Sequence, residues 1–144
     1  MAHTFTLYND GKLNIMKAMN LDTDTLKVSL HTESYTPSID DDSTFSDLDN
    51  ELAGSGNYTA GGATVTNNAV TADDTNDRAY LDMDDVSFTS LTQSSPIKYA
   101  VLYSTTDSSN LIGYWTFDAT QEPGGSTFTI TITAGASGGA LYLS

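Results

Sequence analysis

The clearest pattern in the chain is the strict alternation of Thr25-Leu26-Lys27-Val28-Ser29-Leu30-His31. A strand turns successive side chains to opposite faces, so Leu26, Val28 and Leu30 share one face and Thr25, Lys27, Ser29 and His31 the other. This predicts a strand buried on one side and wet on the other. Ile97 to Tyr103 and Leu111 to Phe117 are denser in apolar residues and predict central strands, joined by the turn-rich residues 105–110. Ala69-Val70-Thr71 and Arg78 to Met83 flank the polar run 73–77 and predict a hairpin. Phe128 to Thr133 alternates again, and Ala140-Leu141-Tyr142-Leu143 follows a Gly138-Gly139 pair. Tyr58 to Thr66 reads as extended, with Ala60-Gly61-Gly62 marking a bulge or a close backbone approach. The out-of-step acids Asp84-Asp85 precede Val86 and Phe88 and predict a bulge that swaps the inward face.

Helical spacing is confined to two places. After Asn9-Asp10-Gly11, Leu13, Met16 and Met19 fall on one face and leave Lys12 and Lys17 to solvent, predicting a short helix over 11–19. Ser46 reads as the cap of a further one or two turns over 46–52, where Asp47 and Asp49 favour the positive end of the dipole. About eight strands with short polar connections predict a mainly β fold, an antiparallel β-sandwich or barrel of jelly-roll-like form with a short N-terminal helix. Residues 1–24 read as an arm carrying that helix, and residues 25–144 as a single β domain.

Composition narrows the function classes. The 144 residues hold 5 Lys+Arg against 19 Asp+Glu and no Cys, which excludes disulfides, thiolate zinc sites and thiol nucleophiles. A net charge of −14 repels phosphate backbones, so no nucleic-acid partner is expected. The longest apolar runs are a few residues, far below the ~20 of a spanning helix, so no membrane partner is expected either. The first residues lack a basic stretch followed by an apolar one, and synthesis in a host cytoplasm is the expectation.

Catalytic material is sparse. His3 and His31 have no nucleophile-elbow context and read as ordinary surface or interface residues. Trp115 alternates with Gly113 and Phe117 on an apolar strand, which fits a core aromatic better than a sugar-stacking platform. The Gly54-Ser55-Gly56 and Gly61-Gly62 cluster precedes no helix with a following Lys, so it reads as backbone geometry and not as a phosphate loop. Acids gather at Asp40-Asp41-Asp42, in the loop 73–77 and at Asp82, Asp84 and Asp85, none with EF-hand spacing. Solvated turn acids account for them, so no cofactor or metal is expected; Asp73, Asp74 and Asp77 come nearest to a cation site. Tyr8, Tyr35 and Tyr58 lie outside the best core strands and are the preferred interface anchors. Lys12, Lys17 and Lys27 place three of the five basic residues in the first 27 positions, which marks that segment as docking differently from the acidic body.

Several segments in order carry a resemblance: Thr25 to Leu30, Ser34-Tyr35-Thr36-Pro37, Phe45-Ser46-Asp47-Leu48, Glu51-Leu52, Gly56 to Gly62, Ala79 to Phe88, Leu111-Ile112-Gly113-Tyr114, Phe128-Thr129-Ile130 and the terminal Gly139-Ala140-Leu141. Together they resemble a family of small virion structural proteins of tailed bacteriophages, over most of the chain. The family usually has a Gly-Tyr step where this chain has Gly56-Asn57-Tyr58, and often a Trp where Phe88 stands. The resemblance implies a virion component without enzymatic activity. Its leading form is a capsid decoration, or cement, protein on the outer surface of the head, bound to the major capsid protein as a homotrimer. The alternative is a tail-tube, head–tail connector or adsorption accessory protein, in which residues 31–57 reach the next ring instead of gripping the capsid. A carbohydrate-binding module needs exposed aromatics on a flat face, which the position of Trp115 disfavours.

Overall fold

The computed structural model describes residues 2–53 and 56–144. Every strand pairing in it is antiparallel, and the fold is the expected mainly β, sandwich-like arrangement, with open sheets and one short α-helix. Strands β1 (His3–Leu7), β2 (Leu26–Thr32), β3 (Ala63–Thr64), β7 (Ile97–Ser104) and β8 (Asn110–Gln121) form one layer in the order β1-β8-β7-β2-β3. Against it lie a three-stranded sheet of β4 (Ala69–Asp73), β5 (Arg78–Asp82) and β10 (Leu141–Leu143), and a pair formed by β6 (Val86–Phe88) and β9 (Phe128–Ile130). Ten strands are thus present among the described residues, against the eight expected.

The main core fills the space between the layers. Leu26, Val28 and Leu30 of β2 face Leu81, Val86, Phe88 and Ile130 of the opposite layer, with Ala100, Leu102, Trp115 and Phe117 alongside. The hairpin of β4 and β5 closes at residues 73–77 as its turn chemistry predicts. Gly61 and Gly62 sit at φ of +90° and +82°, and a Cβ on Gly62 would stand 1.9 Å from the Val28 carbonyl oxygen. The paired glycines therefore mark a close backbone approach. Past Met83 the chain leaves one sheet for the other, so Asp84-Asp85 marks a change of sheet across which the inward positions switch from Leu81 and Met83 to Val86 and Phe88.

Three expectations need correction. The first residues are not a separate arm: β1 pairs with β8 over five residues, from His3 with Phe117 to Leu7 with Gly113, and forms the edge of the large sheet. The helix expected over 46–52 is a single 3-10 turn, Phe45–Asp47, because Asp47 turns back to accept from the Ser43 and Thr44 amides and both hydroxyls. These bonds lower the Asp47 pKa. The polar face of β2 is not wet, since Ser29 and His31 are fully buried. Residues 33–52 run as a strap over the outer face of the large sheet. They are pinned by Thr32 N–H to Asn50, Leu52 N–H to Leu30, Phe45 N–H to Ser109 and Leu111 N–H to Ser43.

Candidate interaction surface

The helix α1 (Asn9–Lys17) reaches the sheet through one residue without a side chain. A Cβ on Gly11 would lie 2.2 Å from the Ile112 carbonyl oxygen, so only glycine allows the helix backbone to approach β8 this closely. With Gly11 as the contact, Ile15 one turn later is directed toward the main core and is half-buried. At about 100° per residue, Leu13 falls about 160° and Met16 about 140° away from Gly11 around the helix. They are accordingly 46% and 85% exposed. The expected apolar face of the helix is thus the outer one, and the signal that reorients it is Gly11.

Two grooves flank β10. The first, about 210 Å³, lies between α1 and the three-stranded sheet and is lined by Ile15, Met19, Leu21, Val70, Leu141 and Leu143 among others. The second, about 590 Å³, lies between β1 and β10, with Phe5 and Leu7 on one wall, Ala140 to Tyr142 on the other, and Lys12 and Ile39 beside them. Among the described residues no acid lines either groove, and Lys12 is the one charged residue that does. Around them Met16, Ile39, Val70, Tyr142 and Leu143 are all at least 40% exposed. Arg78 lies 5.1 Å over the Tyr142 ring while its Nε bonds Asp73 at 3.0 Å. Two apolar grooves without an acid in their linings, on a chain with 19 acids, are the feature that most needs a partner.

The predicted interface residues divide. Lys12 borders the second groove, whereas Lys17 ends α1 and lines neither groove. Lys27 lies elsewhere, half-buried on the outer face of β2 opposite Tyr103. The three tyrosines are interior groups, not exposed anchors: Tyr8, Tyr35 and Tyr58 are 0%, 2% and 4% exposed. Under the strap, Tyr35 donates to Asp42 at 2.7 Å and accepts from Tyr8 at 2.8 Å. Tyr58 donates to Glu51 at 2.7 Å and accepts from the Leu30 amide at 3.0 Å. Burial raises the pKa of all three, and pushes Tyr103 up to about 12, where Glu51 adds to the effect.

His31 is likewise interior. Its Nδ1 bonds the Asp49 carbonyl oxygen at 2.8 Å, which requires a proton on Nδ1 and leaves Nε2 to accept from Ser29 at 2.9 Å. Burial lowers its pKa, so the neutral ring is the form held. Trp115 is 2% exposed and packs on Phe5 at 4.7 Å as a core aromatic. In the 73–77 loop, Asp73 accepts from the Thr75 and Asn76 amides, the Asn76 side chain and Arg78, bonds that lower its pKa, led by Asn76. Its carboxylate is therefore a turn group; among the described residues no three His, Asp or Glu side chains, Asp74 and Asp77 included, are grouped to hold a metal ion. Of the Gly54-Ser55-Gly56 cluster, the first two lie outside the described residues.

The surface residues that pattern reading misses are Ile39, Val70, Tyr142 and Leu143. For the last two a signal exists: Ala140-Leu141-Tyr142-Leu143 has no polar position, so a strand there presents apolar side chains on both faces. No family model matches the chain, and no curated protein or solved structure matches it. No helix is long and apolar enough to cross a membrane, among the described residues.

Proposed function

We propose that this protein is a non-catalytic virion component, a cement protein that docks on the outer surface of an assembled phage head. The observation that carries the reading is the pair of apolar grooves beside β10, whose linings hold no acid among the described residues, on a molecule of net charge −14. Contiguous exposed apolar groups of this kind mark contact sites between proteins. The resemblance of its segments to small virion proteins of tailed phages supplies the class of partner, the major capsid protein, with three copies sharing a site. The ionisable side chains buried among the described residues, Tyr8, His31, Tyr35, Tyr58 and Tyr103, bond one another, the strap or the main chain and hold the fold. Binding only the expanded lattice stabilises that lattice by about RT ln(1 + [L]/Kd) per site.

The test is to add the purified protein to expanded heads that lack it and to follow bound copies by sedimentation and head survival on heating. Saturable binding with a raised disruption temperature is expected, and Met16→Glu, which alters only an exposed side chain, is expected to abolish it. No binding to heads overturns the cement reading. Open-ended or six-fold self-assembly in its place would assign the protein to a tail tube or head–tail connector.

A further inference from the structure

The edge of the large sheet at β1 is open. Tyr8 N–H bonds the Ile112 carbonyl and Asp118 N–H bonds the Ala2 carbonyl, so the even-numbered residues of this segment face β8. By the alternation of an antiparallel ladder, the N–H and C=O groups of Phe5 and Leu7 point away from β8. Among the described residues no strand pairs with them on that side. What stands there is a trench: the second groove along Phe5 to Leu7 continues into a smaller cleft of about 140 Å³ along His3 and Phe5. Its far wall is Thr131 to Thr133 and Gly139 to Tyr142, the open margin of the second layer.

Three properties of the trench select its occupant. Main-chain donors and acceptors repeating every second residue are matched by another extended main chain. The floor is apolar, since Phe5 and Leu7 pack into the main core beside Trp115 and Ile132, so alternate side chains entering it must be apolar. Lys12 borders the trench, and its ammonium bonds only the Asn9 side-chain oxygen at 3.2 Å, with no carboxylate of its own among the described residues; Asn9 in turn bonds Asp40. The larger cleft also falls in the ~300–1,000 Å³ range of sites that enclose small ligands or short segments.

We infer that the trench between β1 and β10 takes an extended strand from a partner chain, one alternating apolar residues with an acid that meets Lys12, and adds it to the free edge of β1. This deepens the docking reading by naming the partner's chemistry and the atoms that receive it. A strand of five residues, about 16 Å long, covers the open edge.

The probe is an end-capped pentapeptide alternating valine and aspartate, titrated into the isotope-labelled protein while amide resonances are followed. Shifts confined to Phe5, Leu7, Gly139 and Ala140 are expected, with slowed amide exchange at Phe5 and Leu7. The same peptide N-methylated at alternate residues, which removes main-chain donors, is expected to bind at least about tenfold more weakly, as is the lysine-for-aspartate peptide. Lys12→Glu is expected to reverse the preference between the acidic and basic peptides. No shift at β1 at millimolar peptide, or equal binding by the N-methylated copy, overturns the inference. Head binding by the intact protein separates the two readings: heads bound without any peptide response refutes strand addition alone, and a peptide response without head binding refutes the virion reading alone.

Discussion

The two faces of the five-stranded sheet are covered by different chemistry. On the inner face Leu26, Val28, Leu30, Ala100, Leu102 and Phe117 meet the second layer with apolar side chains. On the outer face Val101 and Leu111 share the space under the strap with Tyr8, Tyr35 and Tyr103, and Tyr99, Tyr114 and Phe45 close its margin. Ring contacts abound there, with Phe45 stacked on Tyr103 at 4.6 Å and Tyr35 edge-on to Tyr99 at 5.6 Å. The inner face is held by area, which is indifferent to direction and to proton concentration. The outer face is held by hydroxyl and imidazole bonds that work in one protonation state only, so the strap is the part of the molecule that pH addresses.

That contrast can be broken or sharpened by experiment, starting with the largest effect. Phe117→Ala empties a fully buried ring site between the layers and is expected to cost about 3–5 kcal/mol in urea unfolding. Tyr35→Phe leaves the Tyr8 hydroxyl without its partner under the strap and is expected to cost about 1–3 kcal/mol, with the inner core intact by tryptophan fluorescence. A loss as large as that of Phe117→Ala would mean that the two faces unfold together and are one energetic unit.

The pH dependence follows from His31 and the tyrosines. Because the folded pKa of His31 lies below its ordinary 6.5, the unfolded chain binds the extra proton first as pH falls. Stability is therefore complete above about pH 6.5 and declines below it until the folded value is reached. His31→Gln is expected to flatten thermal stability between pH 7 and 5 relative to the parent; an unchanged slope would remove His31 from the account. At the alkaline end Tyr8, Tyr35 and Tyr103 keep their protons past 10, so stability falls as pH rises above 10, and spectrophotometric titration is expected to show these phenols ionising only with unfolding. The smallest effect belongs to the exposed surface: Met16→Glu is expected to change stability by no more than about 0.5 kcal/mol in the same unfolding experiment that Phe117→Ala fails.

Much of the inner face was legible because one period governed it. Leu26, Val28 and Leu30 are buried as alternation predicts, and the apolar density of residues 97–103 and 111–117 placed β7 and β8 inside the sheet. The outer face was not legible, because the same alternation marks Ser29 and His31 as wet and carries no word of a strap arriving from residues 33–52. Tyr8 and Tyr35 lie outside the strands yet are interior for that reason, Tyr35 arriving with the strap to meet Tyr8, whereas Tyr58 is taken into the main core against Phe88. The helix misled through Gly11, whose missing side chain made the contact face while Leu13 and Met16 supplied the periodicity. At the candidate site charge asymmetry pointed to Lys12, which lines the second groove, whereas Val70 and Ile39 had no sequence signal, being exposed by tertiary placement alone.

The pairing of β1 with β8 joins residues more than 100 positions apart in the chain. Of the five strands of the large sheet β1 is made before the others yet must wait for β8, the last of them, since no other strand among the described residues pairs with it. Until β8 arrives, Phe5 and Leu7 have no ladder and Gly11 no carbonyl to rest against. The earliest strand of the large sheet is thus its closing stitch, a topology that favours slow, non-local folding and leaves that edge as the sheet's last seam.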